Sequence, residues 1–267
     1  MRTLKELMNL DGRTALVTGA CGFLGSVICE TLAEQGCDLI LLDLPDSNFQ
    51  DLHKRIKEQN DVKIYIIESD LEDSDSRQSA IKKVLKEHKK LNILINTAAL
   101  VGSSPLDGWA TSFEKQSLET WDRAFNVNLV SAFHLVRDLF PLIKKSGNGS
   151  IINIGSIYGV TAPDYSLYES EEMGNPAAYS SSKGGLIQLT KWLSTTLAHE
   201  IRVNCISPGG ILRDQSDTFI SKYEQKTPLR RMALEEDFKG IVAYLASDLS
   251  EYVTGQNIMV DGGWTSW

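Results

Sequence analysis

Short apolar runs and longer amphipathic stretches alternate along almost the whole chain. The β-rich runs are Thr14–Thr18, Asp38–Asp43, Lys63–Glu68, Leu91–Asn96, Ser150–Gly155, Arg202–Ser207 and Asn257–Val260. Between most of them lie segments with helical spacing: Gly25–Gln35, Ser74–His88, Leu118–Lys145 and Ala177–His199. The runs ALVT, LILLD, ILIN and IINI have almost no polar position. A strand with one wet face alternates apolar and polar residues, so a continuous apolar run predicts burial on both faces. Such strands, separated by helices, predict an α/β fold: a doubly wound parallel sheet of about seven strands in three layers, with right-handed crossovers. No Pro/Ser-rich linker, repeat or low-complexity tract divides the chain, so residues 1–267 read as a single domain. Two stretches escape the pattern, Val160–Pro176 and Leu212–Thr227. Loops of that length are usually functional, and both are read as substrate loops.

Composition narrows the partners. Apolar residues make up 42% of the chain, enough for a large core, while the net charge is -8 and the pI about 5.1. That field opposes nucleic acid and anionic membrane surfaces, although a local basic patch could still serve an anionic small substrate. No apolar run approaches the roughly 18 residues of a membrane helix. Met1 to Arg13 mixes Arg2, Lys5, Glu6 and Asp11 among leucines and lacks a signal-peptide core. The expectation is a cytoplasmic protein that handles a small molecule and has neither nucleic acid nor membrane as partner. Cys21, Cys29, Cys37 and Cys205 show no CxxC pairing and no interleaved histidine, so no metal site is expected. Cys21 beside the glycine loop reads either as a small packing residue or as a reactive thiol.

Gly19-x-x-Gly22-x-x-Gly25 follows the first strand directly and opens a helix. Glycines there permit a tight turn and close backbone approach, and a helix N-terminus offers free N–H groups to a pyrophosphate. Alone, the motif also fits a plain strand–helix turn; its place after the first strand favours the dinucleotide reading. Asp43 ends the second strand, 24 residues after Gly19, where an acid accepts hydrogen bonds from the adenosine ribose hydroxyls. A 2′-phosphate would meet like charge there, and neither the glycine loop nor the residues just after Asp43 supply an arginine. NAD is therefore favoured over NADP. Asp70 follows the third strand, where it could accept from the adenine amino group, and Asn96-Thr-Ala-Ala closes the fourth near the cofactor.

Tyr179 and Lys183 stand four residues apart and so share one helix face. A phenol with a pKa of about 10 is a poor base at neutral pH, and lowering it by two to three units takes roughly 3–4 kcal/mol of preferential phenolate stabilisation. A lysine ammonium and a positive nicotinamide ring can supply that scale. An amphipathic surface helix carries the same spacing, so the context decides. Ser156 ends the fifth strand, at the sheet edge where open parallel sheets place their ligands, and its hydroxyl can hydrogen-bond a substrate carbonyl. Asn128 interrupts a helix whose apolar stripe is Trp121, Phe125, Leu129, Phe133 and Val136, and asparagine is a middling helix former.

Together with Ile206-Ser-Pro-Gly-Gly-Ile211 and Val260-Asp-Gly-Gly263, these residues make the chain resemble the short-chain dehydrogenase/reductase family from about Asp11 to Gly263. The resemblance implies a Rossmann-type fold and an oxidoreductase that interconverts a secondary alcohol and a ketone. It implies Tyr179 as acid/base, Lys183 lowering its pKa and holding the nicotinamide ribose, Ser156 orienting substrate, and Asn128 fixing a relay water. Expected cofactor contacts are Gly19, Cys21, Gly22, Phe23, Leu24, Gly25, Asp43, Asp70, Leu71, Asn96, Ala98, Tyr179, Lys183, Pro208, Gly209 and Ile211. Expected substrate contacts are Ser156, Tyr158, Tyr165 and Tyr179. The family also implies a homotetramer or homodimer packed through Leu118–Lys145 and Ala177–His199.

Two departures bear on the substrate. Family members of this length usually space their glycines G-x-x-x-G-x-G, whereas position 23 here is Phe. Ser156 and Tyr179 are 23 residues apart, roughly twice the usual family interval. Both features, with Ser-Ile-Tyr-Gly and Pro176-x-x-Tyr179, look like the longer branch that acts on nucleotide sugars, but no substrate domain follows. The Val160–Pro176 segment is also similar to reductases of bacterial surface-glycan and flagellin-glycan pathways. The expected substrate is a sugar or polyol, which implies carbohydrate metabolism. In that loop Asp164, Glu169, Glu171 and Glu172 offer acceptors and Tyr165 and Tyr168 flat faces, with any substrate phosphate lying toward Arg213 or Arg230. The rival readings are a sugar-nucleotide epimerase or dehydratase that returns its hydride to the same substrate, and a catalytically silent NAD-sensing regulator.

Overall fold

The computed structural model describes residues 1–168 and 174–267. Among them run α1 (Leu4–Met8), β1 (Thr14–Thr18), α2 (Phe23–Glu34), β2 (Asp38–Asp43), α3 (Phe49–Gln59), β3 (Ile64–Glu68), α4 (Ser74–Glu87) and β4 (Ile93–Asn96). There follow α5 (Leu118–Phe125), α6 (Ser131–Lys145), β5 (Gly149–Ile154), α7 (Ala177–Thr196), β6 (Ile201–Pro208), α8 (Asp217–Lys226), α9 (Lys239–Ala246) and β7 (Asn257–Val260). The seven strands form one parallel sheet in the order β3-β2-β1-β4-β5-β6-β7.

Alternate strand residues serve opposite layers. Ala15, Val17, Leu39, Leu41, Ile93 and Ile95 pack toward α2, α3 and α9, whereas Leu16, Ile40, Leu42, Leu94, Ile151 and Val203 pack toward α4, α6 and α7. Both sets lie in dry cores, which explains why these strands read as unbroken apolar runs. Strand order reverses between β1 and β4, so the loops leaving their carboxyl ends diverge and open a crevice.

Besides the short α1, three helices were not anticipated. In α3, Asn48 caps the Asp51 N–H (3.2 Å) and Phe49, Leu52 and Ile56 are buried. The segment expected as the 212–227 loop contains α8, capped by Ser216 on the Phe219 N–H (3.2 Å) with Tyr223 inward. The third is α9, buried through Val242, Leu245 and Ala246. The expected Leu118–Lys145 helix is interrupted by a π-helical turn at Asn126–Val130. Such a turn inserts one residue into the helical ladder and redirects the side chains around it.

Candidate active site

At Gly19 the backbone φ is +62°, and an added Cβ would lie 2.9 Å from the Ala98 Cα. At Gly25 an added Cβ would lie 1.9 Å from the Gly19 carbonyl oxygen. Only glycine at both positions lets α2 close on β1 and β1 close on the β4 loop. The cap of α2 is Gly22, so no side chain satisfies its first N–H groups, and its first turn carries no acid. Those donors and the positive helix end face the crevice as an anion site. Asp43 accepts the Cys21 N–H (2.7 Å) and the Leu44 N–H (2.8 Å), which pins the end of β2 beside the glycine turn. The Thr18 hydroxyl accepts the N–H groups of Thr97 (3.0 Å) and Ala98 (3.2 Å), joining the β1 and β4 loops.

Asn96 donates to Asn153 (2.8 Å), which donates to Thr190 (2.8 Å), while Asn96 Oδ1 and Thr97 Oγ1 are buried without a partner among the described residues. A glycine cradle, an uncapped helix start and unmatched polar atoms at the end of β4 fit a dinucleotide. Asp70 is exposed and accepts the Glu72 N–H (2.8 Å); Leu71 is buried and its carbonyl accepts from Arg77. Burial and the neighbouring Asp43 push the Cys21 thiol up to about 11, which disfavours a reactive thiolate there. Sequence reasoning missed Arg55 on α3, which is near enough to oppose that rise but is paired with Glu30 and Asp51. The chain offered no local signal for it, because α3 itself was not read.

At the other end of the crevice β5 delivers Ser156, and α7 carries Tyr179 and Lys183 one turn apart. Ser156 Oγ accepts the Tyr158 N–H (3.1 Å) and hydrogen-bonds the Tyr179 phenol. Lys183 is buried, donates to the Ile154 carbonyl (2.7 Å), and its Nζ lies 5.8 Å from the centre of the Tyr179 ring. Burial lowers the Lys183 pKa to about 8, partly offset by the Cys205 thiol. In the free protein the Tyr179 pKa stands above its ordinary value. Burial raises it in the free protein, Ser156 pulls it down, and the Tyr168 phenol adds to the rise. Lysine alone does not activate the phenol, because desolvation dominates until a further positive charge arrives.

The π-helical turn explains Asn128. It is buried, accepts the Leu100 N–H (2.8 Å), and donates to the Leu100 carbonyl (3.2 Å) and Ser182 Oγ (3.0 Å). Ser182 in turn donates to the Tyr179 carbonyl (2.9 Å). Asn128 therefore ties the β4 loop to the helix that carries Tyr179.

The Tyr158 and Tyr168 hydroxyls pair at 3.2 Å, near enough to Tyr179 that the phenolates would oppose one another. Tyr165 is exposed and meets only the edge of this group, through the Tyr168 ring at 6.2 Å. Asp164 is not a free acceptor for substrate. It is held by Lys226 and Ser166, and those hydrogen bonds, Lys226 first, keep its carboxyl below the usual range. Glu169, Glu171 and Glu172 lie outside the described residues. Lys222 donates to the Ser166 carbonyl (2.9 Å) and Tyr168 packs on Phe219 (5.7 Å), so the 160–168 segment and α8 form one wall. Pro208 ends β6, the Gly209 N–H donates to Val260 (2.9 Å), and half-buried Ile211 bridges to Ala233. A cavity of about 650 Å³ adjoins this wall between Val160–Asp164, Lys226, Trp264 and Trp267. The described residues that line it include neither Ser156 nor Tyr179.

Residues 100–117 form a second wall that sequence reasoning passed over. Trp109 is buried, donates to the Val101 carbonyl (2.7 Å), and packs in a cluster with Ala178 and Tyr179. Gln116 Oε1 accepts the Ala177 N–H (2.9 Å), supplying α7 with the cap that Pro176 cannot. Its amide reaches the carbonyls of Thr111 (3.3 Å) and Asn175 (3.4 Å). The only sequence signal was length: an unassigned stretch of this size between two regular elements is uncommon unless it has a function.

A dinucleotide cradle and a Ser–Tyr–Lys constellation on one crevice define a nicotinamide-dependent oxidoreductase of the Rossmann class. The chain belongs to the short-chain dehydrogenase/reductase family, and residues 19–265 match the family described as enoyl-(acyl carrier protein) reductase. It is 30% identical to the post-translational flagellin modification protein A of Campylobacter coli, over 96% of this chain and 99% of that one. A short-chain dehydrogenase from Leptospira borgpetersenii with bound NAD+ is 34% identical with a TM-score of 0.83, the match covering 99% of this chain and 96% of that one. The NADPH-dependent 3-quinuclidinone reductase from Rhodotorula rubra is 25% identical with a TM-score of 0.87, covering 100% and 96%. Among the described residues no helix is long and apolar enough to cross a membrane.

Proposed function

We propose that the chain is an NAD-dependent dehydrogenase/reductase that interconverts a secondary alcohol and a ketone on a neutral, polyhydroxylated substrate. The observation that carries this reading is the grouping of hydroxyls from Ser156, Tyr158, Tyr168 and Tyr179 at the end of β5, beside buried Lys183. Among the described residues no carboxylate contributes to the shift of Tyr179, and Asp164 and Lys226 neutralise each other. Hydroxyl groups can therefore be read there without charge, as a sugar or polyol requires.

When bound, the nicotinamide accepts or supplies the hydride. Gly19, Gly22, Gly25 and the first N–H groups of α2 would hold its pyrophosphate; Asp43 would take the adenosine ribose hydroxyls, and Pro208, Gly209 and Ile211 the nicotinamide end. In oxidation, Ser156 orients the substrate hydroxyl and Tyr179 takes its proton. Lys183, kept charged at neutral pH, favours the phenolate, and Asn128 holds α7 against the β4 loop. In reduction Tyr179 returns the proton to the carbonyl oxygen.

The preference for NAD rests on Asp43, whose charge opposes a 2′-phosphate, with Arg55 already paired. A homodimer or homotetramer through α5, α6 and α7 is part of this reading. It is supported by Leu118, Phe133 and Trp192, which those helices leave exposed. The four cysteines are unpaired, as suits the reducing cytoplasm.

The test is a screen of NAD+ and NADP+ reduction against polyols, sugar acids and sugar nucleotides, with 3-oxoacyl thioesters in the reverse direction, alongside fluorescence titration of NADH and NADPH. Net NADH production on a polyol, and not on a charged sugar acid, is expected, with tighter NADH than NADPH binding and loss of that preference in Asp43→Ala. Turnover of acyl thioesters alone would overturn the substrate class. Equal or tighter NADPH binding by the unaltered protein would overturn the cofactor assignment.

A further inference from the structure

The segment after Ile211 brings a cation to the dinucleotide crevice that the reading above leaves unused. The Arg213 Cζ lies 4.3 Å from the centre of the Phe23 ring, and its Nη1 donates to the Leu212 carbonyl (2.7 Å) and pairs with Glu235. Gln215 fixes the local turn, accepting the Arg213 N–H (2.6 Å) and donating to the Ile211 carbonyl (2.9 Å). Phe23 is the first residue of α2, where the free N–H groups are, and it is 69% exposed although large and apolar. Core packing does not account for a ring left in solvent there; a guanidinium stacked on it does.

Charge gives the stack a purpose. Thr18 to Gly25 contains no lysine or arginine, so only backbone donors and the helix dipole face the anion. A guanidinium bound by its flat face keeps its rim N–H groups for hydrogen bonds. Arg213 Nε and Nη2 make no hydrogen bond to any described residue.

The geometry points to Arg213 as a binding residue for the cofactor pyrophosphate, seated on Phe23 and held in reserve by Glu235. This inference rests on the dinucleotide reading of the crevice. Glu235 neutralises Arg213 in the free protein, so a diphosphate must compete with it for the same cation. That competition fixes a sign. Removing Arg213 weakens the cofactor, whereas removing the charge of Glu235 strengthens it. A purely structural latch predicts instead that either change loosens the segment and weakens binding.

NADH and adenosine, titrated separately into the full-length protein, test the assignment, with NADH release followed by stopped-flow fluorescence. Arg213→Ala is expected to weaken NADH roughly tenfold, mainly through faster release, as for one lost charge-assisted hydrogen bond. Its affinity for adenosine, which has no phosphate, should stay unchanged. Glu235→Gln should slow NADH release and tighten binding, and Arg213→Ala/Glu235→Gln should behave as Arg213→Ala alone. Weaker NADH binding by Glu235→Gln, unchanged binding by Arg213→Ala, or an equal loss for adenosine would each overturn the inference. If the unaltered protein binds neither NADH nor NADPH, the dinucleotide reading itself fails, and that failure is visible before any variant is made.

Discussion

Replacing Asn128 with alanine removes one amide and disturbs three partners. The Leu100 N–H loses an acceptor at 2.8 Å, the Leu100 carbonyl a donor at 3.2 Å, and Ser182 Oγ a donor at 3.0 Å. A polar group left unpaired in a protein interior costs about 1–3 kcal/mol. Leu100 is only half-buried, so water can replace part of its loss, and Ser182 keeps its own bond to the Tyr179 carbonyl. The three together should cost about 2–3 kcal/mol, which for a chain of this length lowers the Tm by roughly 5–10 °C. The β4 loop also carries Ala98 against Gly19, so NADH binding should weaken along with stability. Differential scanning fluorimetry at one fixed protein concentration, with NADH titration on the same samples, measures both effects. Asn128→Asp keeps the acceptor for the Leu100 N–H but sets a carboxylate against the Leu100 carbonyl, and it should melt no higher than the alanine variant. An alanine variant that melts within about 1 °C of the unaltered protein and binds NADH equally would show that the clamp carries no free energy.

Tyr179 should titrate above an ordinary tyrosine in the free protein and fall when NAD+ binds. Subtracting the phenolate absorbance of Tyr179→Phe isolates it, and a titration indifferent to NAD+ would refute the account. Lys183 is charged below its pKa of about 8, so its help is present at neutral pH and fades as the free protein is taken above that value; Lys183→Ala should raise the Tyr179 titration in the NAD+ complex. Gln116→Ala should cost about 1 kcal/mol, as for a lost helix cap. It should also speed hydrogen exchange at the first turn of α7, while Gln116→Glu, which keeps the acceptor for Ala177 but sets a carboxylate against the Thr111 and Asn175 carbonyls, should restore protection only in part; equal exchange in all three proteins would remove Gln116 from the site.

The central strands were legible because strands wet on neither face leave no polar position to confuse with a helix, and β1 and β2 end where the apolar runs end. The glycine turn, Asp43, Ser156, Tyr179 and Lys183 were legible because each sits at a strand end or one helical turn from another, where spacing alone fixes proximity. What failed depends on tertiary contact. Asp164 read as a free acceptor because its partner, Lys226, is 62 residues away. Gln116 caps a helix 61 residues away, and no local pattern announces that. Helical spacing ran straight through Asn128, since a π-helical turn shifts the register by one residue without breaking the apolar stripe. The rise of the Tyr179 pKa in the free protein was not legible, because burial, which sequence reveals poorly, outweighs there a neighbour, which spacing reveals well.

Among the described residues, three contacts tie the 160–168 segment to α8 across two distant stretches of chain. Lys226 reaches Asp164, Lys222 reaches Ser166, and Phe219 packs on Tyr168. If these two stretches wall the substrate, as proposed, specificity on this scaffold is inherited as a pair. Grafting the 160–168 segment into a relative without α8 would strand a tyrosine and an aspartate that have lost their counterparts. Grafting α8 alone would present two lysines to a surface that cannot receive them. Natural exchange of substrate preference and deliberate redesign face the same rule: the smallest unit that can be moved is two separate lengths of polypeptide, changed together.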